Sequence, residues 1–175
     1  MQLTEAIELI SHDQLVTSQA SVWADLGCGH GLFTKALTRF LQPGSHIYAV
    51  DIDESTLPAA SETGPVAIRP LRLDFAQDDW PFPPLDGLLM ANSLHYVSDK
   101  RTFLQKAIRH LTASGRFLIV EYDTDQGNPW VPFPASFRSL SQLFEEAGFA
   151  SIQKLHERPS RYGKANLYAA FISRG

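Results

Sequence analysis

Ala24-Asp25-Leu26-Gly27-Cys28-Gly29-His30-Gly31 separates two stretches whose apolar residues follow different periods. Before it, Val22-Trp23-Ala24-Asp25-Leu26 is a short, mostly apolar run of strand length. After it, Leu32, Phe33, Ala36, Leu37, Phe40 and Leu41 trace one helix face, which Pro43-Gly44 ends. A glycine turn from strand into helix lets the backbone approach a ligand closely, beside the free N–H groups of the helix start. The dinucleotide fingerprint Gly-x-Gly-x-x-Gly does not fit, because the sixth position counted from Gly27 is Leu32. The glycines alternate instead, at 27, 29 and 31, and Asp25 stands two residues before the first. A carboxylate there suits a cationic ligand and repels a pyrophosphate. Taken alone, the glycines also fit an ordinary tight turn.

Outward from this loop the chain alternates. Leu3, Ala6, Ile7 and Ile10 predict an opening amphipathic helix. His46–Val50 reads as the second strand, Glu54–Ala60 as a short helix and Val66–Leu73 as the third strand. Three prolines within four positions, Pro81, Pro83 and Pro84, exclude a regular helix before the buried run Leu85–Ala91. Phe103, Leu104, Ala107, Ile108 and Leu111 mark a helix closed by Ser114-Gly115, and Phe117–Val120 is the fifth strand. A helix carrying Phe137, Leu140, Leu143, Phe144 and Ala147 ends at Gly148. No helix fits between Ser151–Glu157 and Asn166–Ser173, so these two should pair as an antiparallel hairpin. Five βα units and a hairpin predict an α/β fold, an open and mostly parallel sheet with one reversed strand and helices on both faces. Ligands of such sheets bind at the carboxyl ends of the strands.

Composition narrows the function. The 175 residues carry 15 Lys+Arg and 19 Asp+Glu, a formal charge of −4, with no basic cluster, so a duplex nucleic-acid partner is not expected. The longest apolar run is six residues, Leu167–Ile172, too short to span a membrane, and Met1–Glu5 has no secretory-leader pattern. Cys28 is the single cysteine, which leaves no intramolecular disulfide or cysteine-rich zinc site, and the scattered histidines suggest no metal. The expectation is one cytoplasmic domain over 1–175, with 1–20 as helix and lead-in and 21–175 as core, acting on something small.

The acid and alternating glycines between strand and helix resemble the first motif of the class I S-adenosylmethionine-dependent methyltransferases. The resemblance runs from about Val22 to Arg174 and implies a seven-stranded Rossmann-like sheet in the order 3-2-1-4-5-7-6. It also implies S-adenosylmethionine as cofactor, S-adenosylhomocysteine as product, and no metal. By resemblance Asp25, Gly27 and Gly29 hold the methionyl part, the acid helping to bind its ammonium. Asp51 ends the second strand 24 residues after Gly27, near the ~20-residue offset of a ribose-hydroxyl acceptor. The resemblance gives it both ribose hydroxyls and puts Ile52 on the adenine face. Asp53 reads better as a helix N-cap. Asp74 and Phe75 end the third strand and match the adenine-edge positions, although a surface aspartate at a strand end reads the same way.

The fourth strand ends in Asn92-Ser93-Leu94-His95-Tyr96, and Asn-x-Leu-His segments resemble those of small-molecule methyltransferases. Asn92 matches the position closing the methionyl end. The Asn/Asp-Pro-Pro-aromatic motif of enzymes acting on DNA amines or glutamine amides is absent. His95 is either a general base, since imidazole titrates near neutrality, or a packed histidine at a helix start. Transfer by proximity alone is also open, because the sulfonium is already activated. The connection Glu121–Pro134 is longer than the ~4–6 residues usual in compact domains and carries Trp130. It reads either as an acceptor-pocket wall with Tyr96 and the hairpin-turn Arg161-Tyr162, or as a proline-stiffened surface loop. The function expected is methyl transfer to a small-molecule acceptor. The alternative is a cofactor-binding, non-catalytic subunit or inactive relative acting through a protein partner, and a homo-oligomer is open under either reading.

Overall fold

A computed structural model describes residues 1–160 and 165–175. Seven strands form one sheet: β1 (Val22–Leu26), β2 (Ser45–Asp51), β3 (Val66–Arg72), β4 (Leu85–Ala91), β5 (Leu111–Tyr122), β6 (Ser151–Pro159) and β7 (Asn166–Ser173). Their order is β3-β2-β1-β4-β5-β7-β6. β1 pairs in parallel with β2 and β4, while β7 runs antiparallel to both β5 and β6, as the missing crossover helix requires. The order reverses at β1 and β4, so the loops leaving their carboxyl ends lie side by side.

Period-2 alternation divides the apolar strands between two cores. Trp23, Ile47, Leu89, Leu118 and Val120 meet α1 (Leu3–Ile10) and α2 (Leu32–Leu37) on one face. Ala24, Leu88, Met90, Phe117 and Ile119 meet α3 (Lys100–His110) and α4 (Phe137–Glu146) on the other. Each α-helix is amphipathic and buries one stripe, for example Phe103, Leu104 and Ala107 of α3. Among the described residues no helix is long and apolar enough to cross a membrane.

Three local expectations need correction. The helix expected over 54–60 is a single 3₁₀ turn, Glu54–Thr56, because Pro58 holds Leu57 in the extended region at ψ 136°. Asp53 caps this turn by accepting from Ser55 N. Together with the proline-rich 77–84 segment, this leaves two crossovers without an α-helix, so three of the five expected βα units have one. Regular α2 stops at Leu37; Arg39 N bonds Ala36 O and Phe40 N bonds Leu37 O, a tightened last turn. Finally, α3 ends at His110 and β5 starts at Leu111, earlier than the Ser114-Gly115 turn. That turn lies within an irregularity of β5, where Leu85 and Gly87 pair with Leu111 and Arg116.

Both sheet edges are interrupted. On β3 the outward N–H and C=O of Ile68 bond Ser61, and Pro70 is the next residue facing the same way, where its missing N–H costs no ladder bond. On β6 the register with β7 shifts between Lys154 and Glu157.

Gly87 marks a close approach within the sheet. A Cβ there would lie 2.5 Å from three atoms of the Trp23 indole, which is almost fully buried beside it. Gly87→Ala should therefore cost about 1–3 kcal/mol by overpacking, read as a lower urea midpoint with an unchanged slope.

Candidate active site

The Gly27 loop is built from backbone bonds. Gly27 N and Cys28 N both donate to Val50 O, at 2.8 and 2.9 Å, which ties the end of β1 to the end of β2. Gly27, Gly29 and Gly31 all have positive φ, at 77°, 49° and 73°. At Gly27 a side chain is also excluded by contact, since a Cβ would lie 2.5 Å from Ser93 Cβ and 3.4 Å from the Phe75 ring. Ser93 Oγ donates to Leu26 O at 2.5 Å, tying the post-β4 loop to the same corner. A Cβ on Gly29 would meet nothing within 4 Å, so the loop there borders open space.

Beside this corner lies a cleft of about 350 Å³ lined by Gly27, Asp51, Ile52, Asp74, Phe75 and Asn92, with Ser93 and Tyr96. Six of the eight residues matched to a cofactor site thus come together. Asp51 is fixed by two backbone donors, Gly29 N at 2.8 Å and Asp53 N at 3.0 Å, one on each carboxylate oxygen. Each oxygen keeps a further acceptor site. Ile52 is 61% exposed, an uncovered apolar side chain on the cleft wall. Asp74 Oδ1 accepts from Ala76 N and Gln77 N, so one of its oxygens is used by its own turn. The Phe75 ring packs edge-on to Phe103, and its carbonyl accepts from Trp80 Nε1.

Gly29 and Asp25 do not line the cleft. Gly29 acts through its N–H on Asp51. Asp25 lies behind the loop, fully buried, and accepts from Thr34 Oγ1 at 2.6 Å. Its Oδ1 has no hydrogen-bond partner among the described residues. Burial pushes its carboxyl up to about 7, against the Thr34 hydrogen bond and with help from the negative charge of Asp51.

Asn92 joins this cleft to a second cavity. Among the described residues it is the only non-glycine with positive φ, at 56°, and its Oδ1 is buried without a partner. Strain of this kind concentrates at functional positions. The second cavity, about 690 Å³, is lined by Asn92, His95, Tyr96, Tyr122 and Trp130, with Thr124, Gln126 and Asn128. Here His95 Nδ1 lies 2.8 and 3.0 Å from the two carboxylate oxygens of Glu121, and His95 N also donates to Glu121 at 3.1 Å. A carboxylate only accepts, so Nδ1 carries a proton, and in the neutral imidazole Nε2 is the ring nitrogen left to accept. His95 is therefore buried, as a packed histidine would be, and also part of a cavity wall.

Glu121 was missed as a site residue, being read as the first residue of the loop. It belongs to β5 and is fully buried. The signal was present: a carboxylate directly following Phe117-Leu118-Ile119-Val120, in a strand buried on both faces, needs a partner.

The loop after β5 is pinned to the same region. Phe133 N donates to His95 O at 3.0 Å, and Lys100 Nζ donates to Val97 O and Phe133 O at 2.8 and 2.5 Å. Asp125 accepts from Ser136 N and Oγ, and Tyr168 Oη donates to Ala135 O. Trp130 and Tyr96 line the cavity; Arg161 and Tyr162 lie outside the described residues.

Comparison with known proteins agrees with this geometry. A family model described as a methyltransferase domain matches residues 24–117, and the chain belongs to that family. Uncharacterized methyltransferases of Mycobacterium bovis and Mycobacterium tuberculosis are 29% identical over 113 residues, 64% of this chain and 56% of theirs. The chain thus spans little more than half the length of these curated relatives. The fold matches the YcgJ protein of Bacillus subtilis at TM-score 0.68 and 16% identity, covering 99% of this chain and 98% of that one. It matches Burkholderia thailandensis 1,6-didemethyltoxoflavin-N1-methyltransferase, solved with bound 1,6-didemethyltoxoflavin and S-adenosylhomocysteine, at 0.68 and 21%, covering 99% and 78%. Human N-acetylserotonin methyltransferase, in complex with S-adenosylmethionine, matches at 0.67 and 21%, covering 97% and 51%. The fold is that of the class I S-adenosylmethionine-dependent methyltransferases.

The elevated carboxyl of Asp25 has a consequence for stability. Between its ordinary value and about 7 the folded chain keeps a proton that the unfolded chain has released, so stability falls as pH rises through this window. Asp25→Asn removes the effect. Relative to wild type, the variant should gain up to about 4 kcal/mol between about pH 4 and pH 8, measured by urea unfolding at several pH values.

Proposed function

We propose that the protein transfers a methyl group from S-adenosylmethionine to a small-molecule acceptor, with His95 as general base and Glu121 as its positioning partner. The observation that carries this reading is the junction of two cavities at Asn92 and Tyr96, one lined by strand-end carboxylates, the other by a histidine–carboxylate pair. The cofactor residues fit: Gly27 lines the cleft with backbone alone, Asp51 has two acceptor sites suited to ribose hydroxyls, and Ile52 and Phe75 offer apolar contact to a purine. Asp74 keeps one oxygen for the adenine amino group. Asn92 lies at the methionyl end, where its Oδ1, without a partner among the described residues, suits an ammonium, while Asp25 and Gly29 act from behind, Asp25 under the loop and Gly29 through Asp51. When bound, the cofactor supplies a methyl on a sulfonium, whose carbon–sulfur electron pair stays on sulfur as the acceptor's lone pair forms the new bond. His95 Nε2 takes the acceptor's proton, and Glu121 stabilises the imidazolium and holds the tautomer. The pinned loop fixes the cavity wall, so alignment of the acceptor supplies much of the acceleration.

Isothermal calorimetry with S-adenosylhomocysteine tests the cofactor half. Wild type should bind, and Asp51→Ala should bind roughly 10- to 150-fold more weakly through loss of charged hydrogen bonds. Absence of binding to wild type overturns the reading. For the base, Glu121→Gln should leave S-adenosylhomocysteine affinity nearly unchanged while turnover falls by about 10²–10⁴-fold and the near-neutral limb of the pH–rate profile moves. Unaltered profiles in both Glu121→Gln and His95→Gln would leave proximity as the sole catalyst.

A further inference from the structure

The larger cavity carries information about the acceptor itself. Its size, about 690 Å³, falls in the range of small-molecule sites, roughly 300–1,000 Å³. Four of its walls are rings, from His95, Tyr96, Tyr122 and Trp130, and the His95 and Tyr96 centroids are 4.4 Å apart. Its remaining polarity is neutral, from groups such as Gln126 and Asn128. Among the described residues no Asp, Glu, Lys or Arg lines it. Among the described residues, charges close in the chain or fold to its walls are committed elsewhere: Glu121 lies buried behind His95, the Lys100 ammonium faces two carbonyls, and Asp123 and Asp125 accept from Phe137 N and Ser136. A carboxylate or ammonium on the acceptor would lose water here without gaining a charged partner among these walls.

Trp130 sharpens the case. It is 82% exposed, yet its turn is rigid: Asn128 Oδ1 accepts from both Trp130 N and Val131 N, and Gly127 lies against Pro132 O so closely that no Cβ fits. A fixed loop thus holds a large apolar ring in water at the wall of a cavity, with Tyr96, 60% exposed, on the same cavity. Flat rings cover such faces with little entropy loss. The chemistry at His95 then selects the reacting group. The Nε2 lone pair accepts a hydrogen bond from a hydroxyl, and an imidazole can deprotonate a phenol-type hydroxyl, near pKa 10, far more readily than an aliphatic one.

Building on the methyl-transfer reading above, we infer that the acceptor is a flat, uncharged aromatic molecule bearing a hydroxyl group, seated between Trp130 and Tyr96 with that hydroxyl on His95. On reaction the hydroxyl proton passes to Nε2, and the oxygen lone pair becomes the bond to the transferred methyl, giving an aryl methyl ether.

The test is a binding titration of the full chain saturated with S-adenosylhomocysteine, using 7-hydroxycoumarin, whose ionised form absorbs at longer wavelength. Saturable binding is expected, with anion absorbance appearing at a pH where the free probe is neutral. Coumarin, lacking the hydroxyl, should bind about 2- to 12-fold more weakly. 7-Hydroxycoumarin-3-carboxylic acid should bind about 10-fold more weakly or worse. Trp130→Ala, at an exposed position that should not disturb folding, should weaken 7-hydroxycoumarin by about 2- to 12-fold. Glu121→Gln should retain binding but lose the anion signal. Equal affinity for the carboxylate, or no saturable binding while S-adenosylhomocysteine binds by calorimetry, overturns the inference and leaves the methyltransferase reading standing. Failure to bind S-adenosylhomocysteine removes both.

Discussion

Gly27 and Cys28 both donate to Val50 O, Gly29 donates to Asp51, and Ser93 donates to Leu26 O. These bonds lock the ends of β1, β2 and β4 into one corner, and everything the site contains is measured from it. The corner is possible only because position 27 lacks a side chain; a Cβ would overlap Ser93. The parallel sheet brings the three strand ends to one edge, and the backbone bonds then set the spacing between the bare glycine surface and the Asp51 carboxylate. The strand-end cleft is therefore largely a property of main chain, with little left for rotamers to decide.

The larger cavity is built differently. Its walls are side chains carried by the segment after β4 and the loop after β5, and those are held by Lys100, Asp125 and the Phe133–His95 backbone bond. One fixed half and one loop-borne half is the arrangement by which a single fold accommodates many acceptors.

Legibility in the sequence follows the same division. The strands and the hairpin could be read because parallel strands buried on both faces appear as continuous apolar runs, and Pro43-Gly44 and Gly148 punctuate the chain; the strand order came from the resemblance. That Asp51 and Gly27 meet at one strand-end corner could be read because their spacing is local. The Leu57 break was misjudged because apolar spacing was weighed above the proline that follows. Glu121 escaped because the apolar run before it signals only that a partner is needed, and that partner lies 26 residues away. The same holds for Gly87, whose role depends on the Trp23 ring of a strand far off in sequence and adjacent only in the sheet.

The interrupted edges bear on the solubility of the molecule. An open sheet offers unpaired N–H and C=O groups at both ends, a template for adding further strands and eventually for aggregation. On one side Ser61 covers Ile68, and Pro70 cannot donate. On the other, Lys154, Glu157 and Arg158 sit at an irregular register and Pro159 closes the strand. The same residues that shape the margins of the sheet thus make its edges poor templates for a further strand.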